Sequence, residues 1–254
     1  MKTILKYILL TAIRDKLYLG ILFLLAAAFG ISSILGNTLA TEKVATSIVY
    51  IAGSARIIFA VGMILFTCFY VRKSFDNKEV EFILSKAVSR NQLIISYLLG
   101  FSVVALFILI PIGLALFLIN ANLIGLAFWL MSIFFEIFIL ISVAVLSSLI
   151  LKSAVTSILA TLGFYILSRM MAFFVLTVDL PTKMIDFNNI TASLDSLLKL
   201  MSFIFPRLDL FAHSNMLIYG INDYQFIIIT CVQSLIYIPL LAFMSFSDFN
   251  KKQF

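Results

Sequence analysis

Apolar runs of about twenty residues alternate with short polar stretches along most of the chain, and this alternation predicts a bundle of long helices. A helix rises 1.5 Å per residue and needs roughly 20 apolar residues to cross about 30 Å of hydrocarbon. Six runs approach or exceed that length: Leu17 to Leu35, Ile48 to Val71, Leu93 to Ile119, Leu123 to Ile150, Ala154 to Val178 and Tyr224 to Phe246. Asn120 and Asn122 form a turn between the third and fourth runs, and the break near Lys152 separates the fourth from the fifth. Residues 1–16 follow another pattern. Ile4, Leu5, Ile8, Leu9, Ala12 and Ile13 recur on one helical stripe while Lys2, Lys6 and Arg14 lie off it. Such a segment predicts a helix lying in the membrane interface rather than crossing it. A signal peptide cleaved after Ala26-x-Ala28 fits less well, because the apolar run continues to Leu35.

Composition strengthens the membrane reading. Hydrophobic residues make up 63% of the 254 and charged residues only 12%, whereas a soluble domain uses about 45–50% apolar residues. The fold class expected is an all-α membrane protein: one transmembrane domain over 1–254, six spans, and an N-terminal interfacial helix. The net charge of +6 matters through its distribution, so no nucleic-acid partner is expected. With the N-terminus inside, twelve of the 18 Lys and Arg residues fall on the inner side and four outside, with Arg56 and Arg169 within spans. The bias predicts both termini in the cytoplasm. It also makes 72–92 a cytoplasmic loop and 179–223 a large outer loop. Within the outer loop, "SLLKLMSFIFPRL" reads as a short interfacial or re-entrant helix ending near Pro206.

Enzymatic motifs are missing. None of the ten glycines precedes a lysine, so there is no phosphate-cradling loop and no ATPase activity is expected of this chain. No catalytic residue, metal site or cofactor is predicted on it. The single histidine, His213, lies in the outer loop with Met216, Met184 and Met201. Imidazole and thioethers suit copper(I), but methionine at this frequency is better explained as packing. The two cysteines, Cys68 and Cys231, both fall inside spans.

Three ionisable residues inside spans each require a partner or water: Arg56, Glu136 and Arg169. Counted from the span centres they lie at similar depth, so Glu136 is expected to pair with one arginine, Arg169 being the first choice because its span follows directly. The trio lines a polar pathway or fixes helix packing. Small residues four apart, Ala26 with Gly30 and Ser153 with Ser157 and Thr161, suit a helix–helix or dimer contact.

The inner loop "KEVEFILSKAVSR", Lys78 to Arg90, is the sharpest feature. Asp76 with Glu79 predicts a helix start, and Val80, Phe82, Ile83 and Leu84 give that short helix an apolar side while Lys78, Glu81 and Lys86 stay wet. Ser89 with Gln92 predicts the capping box that opens the third span.

On these residues the chain resembles the permease subunits of ABC transporters of the second exporter type. That family carries Glu, a Leu-rich stretch, Pro-x-Ser-Arg and a Leu-Leu-Gly-Lys-x-Leu-Gly helix opening in this loop. Here Glu79, Leu84, Ser85, Ser89, Arg90 and Gly100 fall into place, Ala87 stands where the family often has Pro, and Ser96 and Tyr97 replace the Gly-Lys pair. The order of the remaining parts agrees: an interfacial helix, six spans, an outer loop with "FPRLDLF" and a basic tail "DFNKK". The resemblance implies a multi-pass protein of a bacterial cytoplasmic (inner) membrane, surrounded by lipid. It implies that the loop is a coupling helix docking on a separate cytoplasmic ATPase subunit, which holds ATP and Mg. It implies assembly with a second permease copy or a related permease. Glu79, Phe82, Ile83, Lys86, Ser89 and Arg90 become the expected ATPase-coupling residues, and the transport direction expected is export. Two other classes stay open. An ion-coupled secondary transporter would use Arg56, Glu136 and Arg169 in its pathway, and a membrane scaffold would use them only for packing.

Overall fold

A computed structural model describes residues 2–14, 16–38, 43–86, 88–119, 121–179, 205–211, 213–220 and 225–251. The described residues form helices and turns, with no strand among them. In chain order the helices are α1 (Lys2–Arg14), α2 (Lys16–Thr38), α3 (Lys43–Asp76), α4 (Glu79–Leu84), α5 (Arg90–Leu118), α6 (Leu123–Ile150) and α7 (Ala154–Asp179). A 3-10 turn at Leu208–Leu210, α8 (Asn215–Tyr219) and α9 (Gln225–Lys251) follow. Five of them, α3, α5, α6, α7 and α9, contain segments long and apolar enough to cross a membrane, and α2 is apolar over Leu19–Ser32. The architecture therefore fits an all-α membrane protein.

Helix α6 is the axis. Its neighbours are α3, α5, α7, α8 and α9, and Val143 to Leu149 form an unbroken buried stretch on it. Lipid tails are as apolar as leucine, so association among these helices rests on close packing and interhelical hydrogen bonds rather than on escape from water. Ser147 and Thr161 make such a bond at 2.9 Å between α6 and α7, while Ser147 and Ser157 exchange hydroxyl-to-carbonyl contacts at 3.4 Å. The spaced small residues Ser157 and Thr161 thus face α6 of their own chain, and both are fully buried. Ala26 and Gly30 are exposed instead, and a Cβ at Gly30 would meet open space.

At the end of the bundle that carries α1 and α4, hereafter the base, the expected interfacial helix packs on α5. Ile8 and Ala12 of α1 are buried, and Ile8 occupies the space a side chain at Gly100 would fill. Tyr7, Leu10 and Ile13 stay exposed, so α1 presents one apolar side to the protein and a second outward. The end of α9 closes the base. Phe249 is fully buried with its ring against Phe75, and Arg90 Nη1 donates to the Phe249 and Asn250 carbonyls at 3.3 and 3.0 Å.

The opposite end is a cap. The Asn122 side chain accepts from Gly125 N at 3.0 Å to start α6, and its backbone N–H donates to Leu217 O of α8 at 2.8 Å. The expected turn is therefore seen at Asn122, held by α8, while Asn120 lies outside the described residues. Gly125 permits it, because a Cβ there would overlap the Met216 carbonyl. Most of "SLLKLMSFIFPRL" lies outside the described residues, as do Met184 and Met201.

Candidate functional site

Two groups of residues carry the candidate chemistry: a charged centre beneath the cap, and the short α4 segment at the base.

The charged centre brings together the three ionisable residues of the spans. Glu136 on α6 is fully buried, and Arg56 of α3 reaches it through Nε at 2.8 and 3.1 Å and through Nη2 at 2.7 Å. Arg56 Nη2 also donates to the Leu208 carbonyl at 2.9 Å, and Arg169 Nη1 of α7 donates to the same oxygen at 3.0 Å. The expectation that Glu136 pairs first with Arg169 is thereby corrected. Helix α3 lies against α6 as α7 does, and it is Arg56 that presents two donors to the carboxylate. Arg169 uses a backbone carbonyl of the outer turn instead. The Leu208 oxygen carries no side-chain signature in the sequence, although "FPRLDLF" marked the segment that supplies it.

Around this centre the cap is polar but apolar-walled. Arg207 pairs with Asp209 at 3.0 Å. His213 packs its ring 5.0 Å from Phe226, and its Nε2 is buried without a hydrogen-bond partner. Burial, reinforced by the positive charges of Arg56 and Arg169 against the opposing charge of Asp209, pushes the His213 pKa below its ordinary value. Met216 packs into the core of the cap. A carboxylate held bidentately by one arginine is already neutralised, so this centre is suited to joining α3, α6, α7 and the outer turn.

The base segment begins where α3 stops. Asp76 does not cap α4: α3 runs through it, and its carboxylate accepts from Arg72 one turn earlier at 3.0 Å. The chain reverses at Lys78, whose left-handed φ of 58° occupies a helix-ending position that usually takes glycine. Helix α4 is then held from one side. Val80 is fully buried, Ile83 and Leu84 are partly buried against the core, and Glu79 accepts from Ser74 Oγ at 3.0 Å.

Phe82 points outward with 63% of its surface exposed, and the Lys86 ammonium sits 4.4 Å over its ring. Of the six expected coupling residues, Phe82 and Lys86 are therefore on the outer face, joined by exposed Glu81. Ile83 and Glu79 turn toward the bundle, and Arg90 is engaged with the end of α9. Ser89 performs its expected local role: its hydroxyl accepts from Gln92 N at 3.3 Å and its own N–H donates to Gln92 Oε1 at 3.2 Å.

Glu79 also borders a cavity of about 330 Å³ between α1, α3, α4 and α5, lined with Tyr7, Tyr70 and Tyr97. In the sequence Tyr7 and Tyr70 carry no signal and Tyr97 stands out only in place of the family's Gly-Lys pair, since aromatic residues inside apolar runs look like ordinary packing.

No protein-family model and no curated protein matches this sequence.

Proposed function

We propose that this chain is the permease subunit of an ABC transporter of the exporter kind, driven by a separate cytoplasmic ATPase. The observation that carries the proposal is α4: a short helix between two long ones, anchored through Val80 and Glu79, with Phe82 exposed. Helix α3 has 34 residues, about 51 Å at 1.5 Å per residue, against roughly 30 Å of hydrocarbon. Its excess length carries α4 clear of the apolar layer. The sixth span in this reading is α2, whose 23 residues reach about 34 Å. Six crossings would return the C-terminus to the side of the N-terminus, and the basic loop residues favour the cytoplasm for that side.

In this scheme the outer face of α4, with Glu81, Phe82 and Lys86, docks on the ATPase. Closure of the nucleotide-bound ATPase pair moves α3 and α5 as rigid bodies, because Ser89 caps α5 directly after the docking helix. Two permeases, identical or related, complete the unit in a bacterial inner membrane, with ATP and Mg bound only to the partner. The test is co-purification with a phosphate-loop ATPase encoded beside this chain. Phe82→Asp should abolish association while the permease keeps its melting temperature, and unimpaired association of that variant overturns the docking assignment.

The buried charges favour one competing reading, an ion-coupled transporter with Arg56, Glu136 and Arg169 in its pathway. It requires gradient-driven transport to fail in Arg56→Ala and Arg169→Ala variants that assemble, with no ATPase present.

A further inference from the structure

The cavity at the base has a composition that ordinary packing does not explain. Tyr7 of α1, Tyr70 of α3 and Tyr97 of α5 contribute its aromatic walls, the exposed Phe82 of α4 borders its mouth, and Glu79 is the one charged residue lining it. The rings of Tyr70 and Tyr97 stand nearly perpendicular, 84° apart with centroids at 6.1 Å. Tyr97 is 1% exposed, and among the described residues its hydroxyl makes no hydrogen bond of good geometry, although the Ser74 side chain lies near it. Glu79 gives one carboxylate oxygen to Ser74, and among the described residues the other has no hydrogen-bond partner.

We propose that this cavity binds an organic ammonium group, as found on choline-type phospholipid headgroups and on free quaternary amines. Aromatic rings attract a cation placed over their faces, more strongly where the ring is buried, as Tyr70 and Tyr97 are, than at the half-exposed Tyr7. Glu79 supplies the countercharge. An anion would meet that carboxylate, and a purely apolar guest would leave its charge uncompensated; the Lys86 ammonium, over the Phe82 ring, is outside the lining. The volume is at the small end of ligand pockets, which start at about 300 Å³, as suits a headgroup rather than a whole lipid. The location agrees as well, since α1 has the sequence pattern of a helix lying in the interface, where headgroups are. The inference stands on the cavity alone and does not depend on the transport reading.

The experiment uses the purified full-length chain in maltoside micelles, titrated calorimetrically with dihexanoylphosphatidylcholine, dihexanoylphosphatidylglycerol and choline chloride. Saturable binding of the choline lipid is expected, with the glycerol lipid at least tenfold weaker. Glu79→Gln, which can still accept from Ser74, and Tyr7→Leu, at a half-exposed position, should each weaken binding by about 3- to 30-fold. Tyr7→Phe, which keeps the ring, should stay within about twofold of the parent. Binding of choline chloride as well as the lipid identifies the ammonium alone as sufficient; binding of the lipid only identifies a headgroup with its chains. Equal affinity for both lipids, no saturable binding of either choline probe, or unchanged affinity in both Glu79→Gln and Tyr7→Leu overturns the proposal.

Discussion

Removing one partner of the Arg56–Glu136 pair should destabilise the protein far more than removing both. Glu136 is fully buried and the Arg56 side chain is 7% exposed, so neither charge has water to fall back on once its partner is gone. Breaking a buried pair from one side costs about 3–5 kcal/mol. A neutral interhelical hydrogen bond in a membrane protein averages only about 0.6 kcal/mol. Glu136→Gln leaves Arg56 with a neutral acceptor and the Leu208 carbonyl, and Arg56→Met leaves the buried carboxylate without its hydrogen-bonded arginine, with Arg169, held on the Leu208 carbonyl, as the remaining countercharge. Each should lower unfolding free energy by several kcal/mol, whereas Arg56→Met with Glu136→Leu removes both charges and should recover much of the loss. The coupling in the double-mutant cycle, the two single costs less the double cost, should then exceed about 3 kcal/mol. The chain contains its own probe: Trp129 is its single tryptophan, fully buried on α6 seven residues from Glu136. Its fluorescence during denaturation in mixed micelles reports unfolding next to the pair. Single variants costing less than about 1 kcal/mol, with additive behaviour in the double, would refute the pairing as a determinant of helix assembly.

Four further outcomes follow from the same geometry. Gly125→Val drives a side chain into the Met216 carbonyl; it should cost about 1–3 kcal/mol and raise protease sensitivity near α8. Lys78→Gly relieves the left-handed backbone at φ 58° and should raise the stability measured by Trp129 fluorescence, by about 1 kcal/mol. Ser89→Ala removes the capping box and should cost about 0.5–2 kcal/mol, with ATPase stimulation in the assembled pair falling more than association does. For His213, whose folded pKa is depressed by burial, the unfolded chain takes up the proton first as pH falls. Stability is thus fully present above the ordinary histidine pKa and declines as pH drops through about 6.5; melting curves of His213→Gln should lack that slope.

What was legible in the sequence had local or compositional causes. The capping box at Ser89 and Gln92 depends on two side chains three residues apart, and the turn into α6 on Asn122 at a helix start. The clustering of Arg56, Glu136 and Arg169 followed from depth alone. What was hidden was facing. In a helix whose lipid side and protein side are both apolar, periodicity carries little information about rotation, so nothing marked Arg56 as the residue turned to Glu136. The same limit concealed that Ser157 and Thr161 serve the chain's own core, and that Ile83 points in while Phe82 points out. The start of α4 was misplaced for a different reason: Asp76 looks like a cap, but the turn is made by Lys78 in a conformation that side-chain identity does not advertise.

Helix α3 ties the two sites together in a way that depends only on length. From Arg56 to Lys78 is 22 residues of almost unbroken helix, about 33 Å. Pivoted near its base end, such a rod tilted by about 5° swings its far end by about 3 Å, the full length of a hydrogen bond. Arg56 and Arg169 share one oxygen, so a swing of that size forces a choice: Leu208 stays with α3 or with α7. A push too small to disturb a single contact at α4 is therefore large enough, one rod-length away, to decide which helix keeps the outer turn.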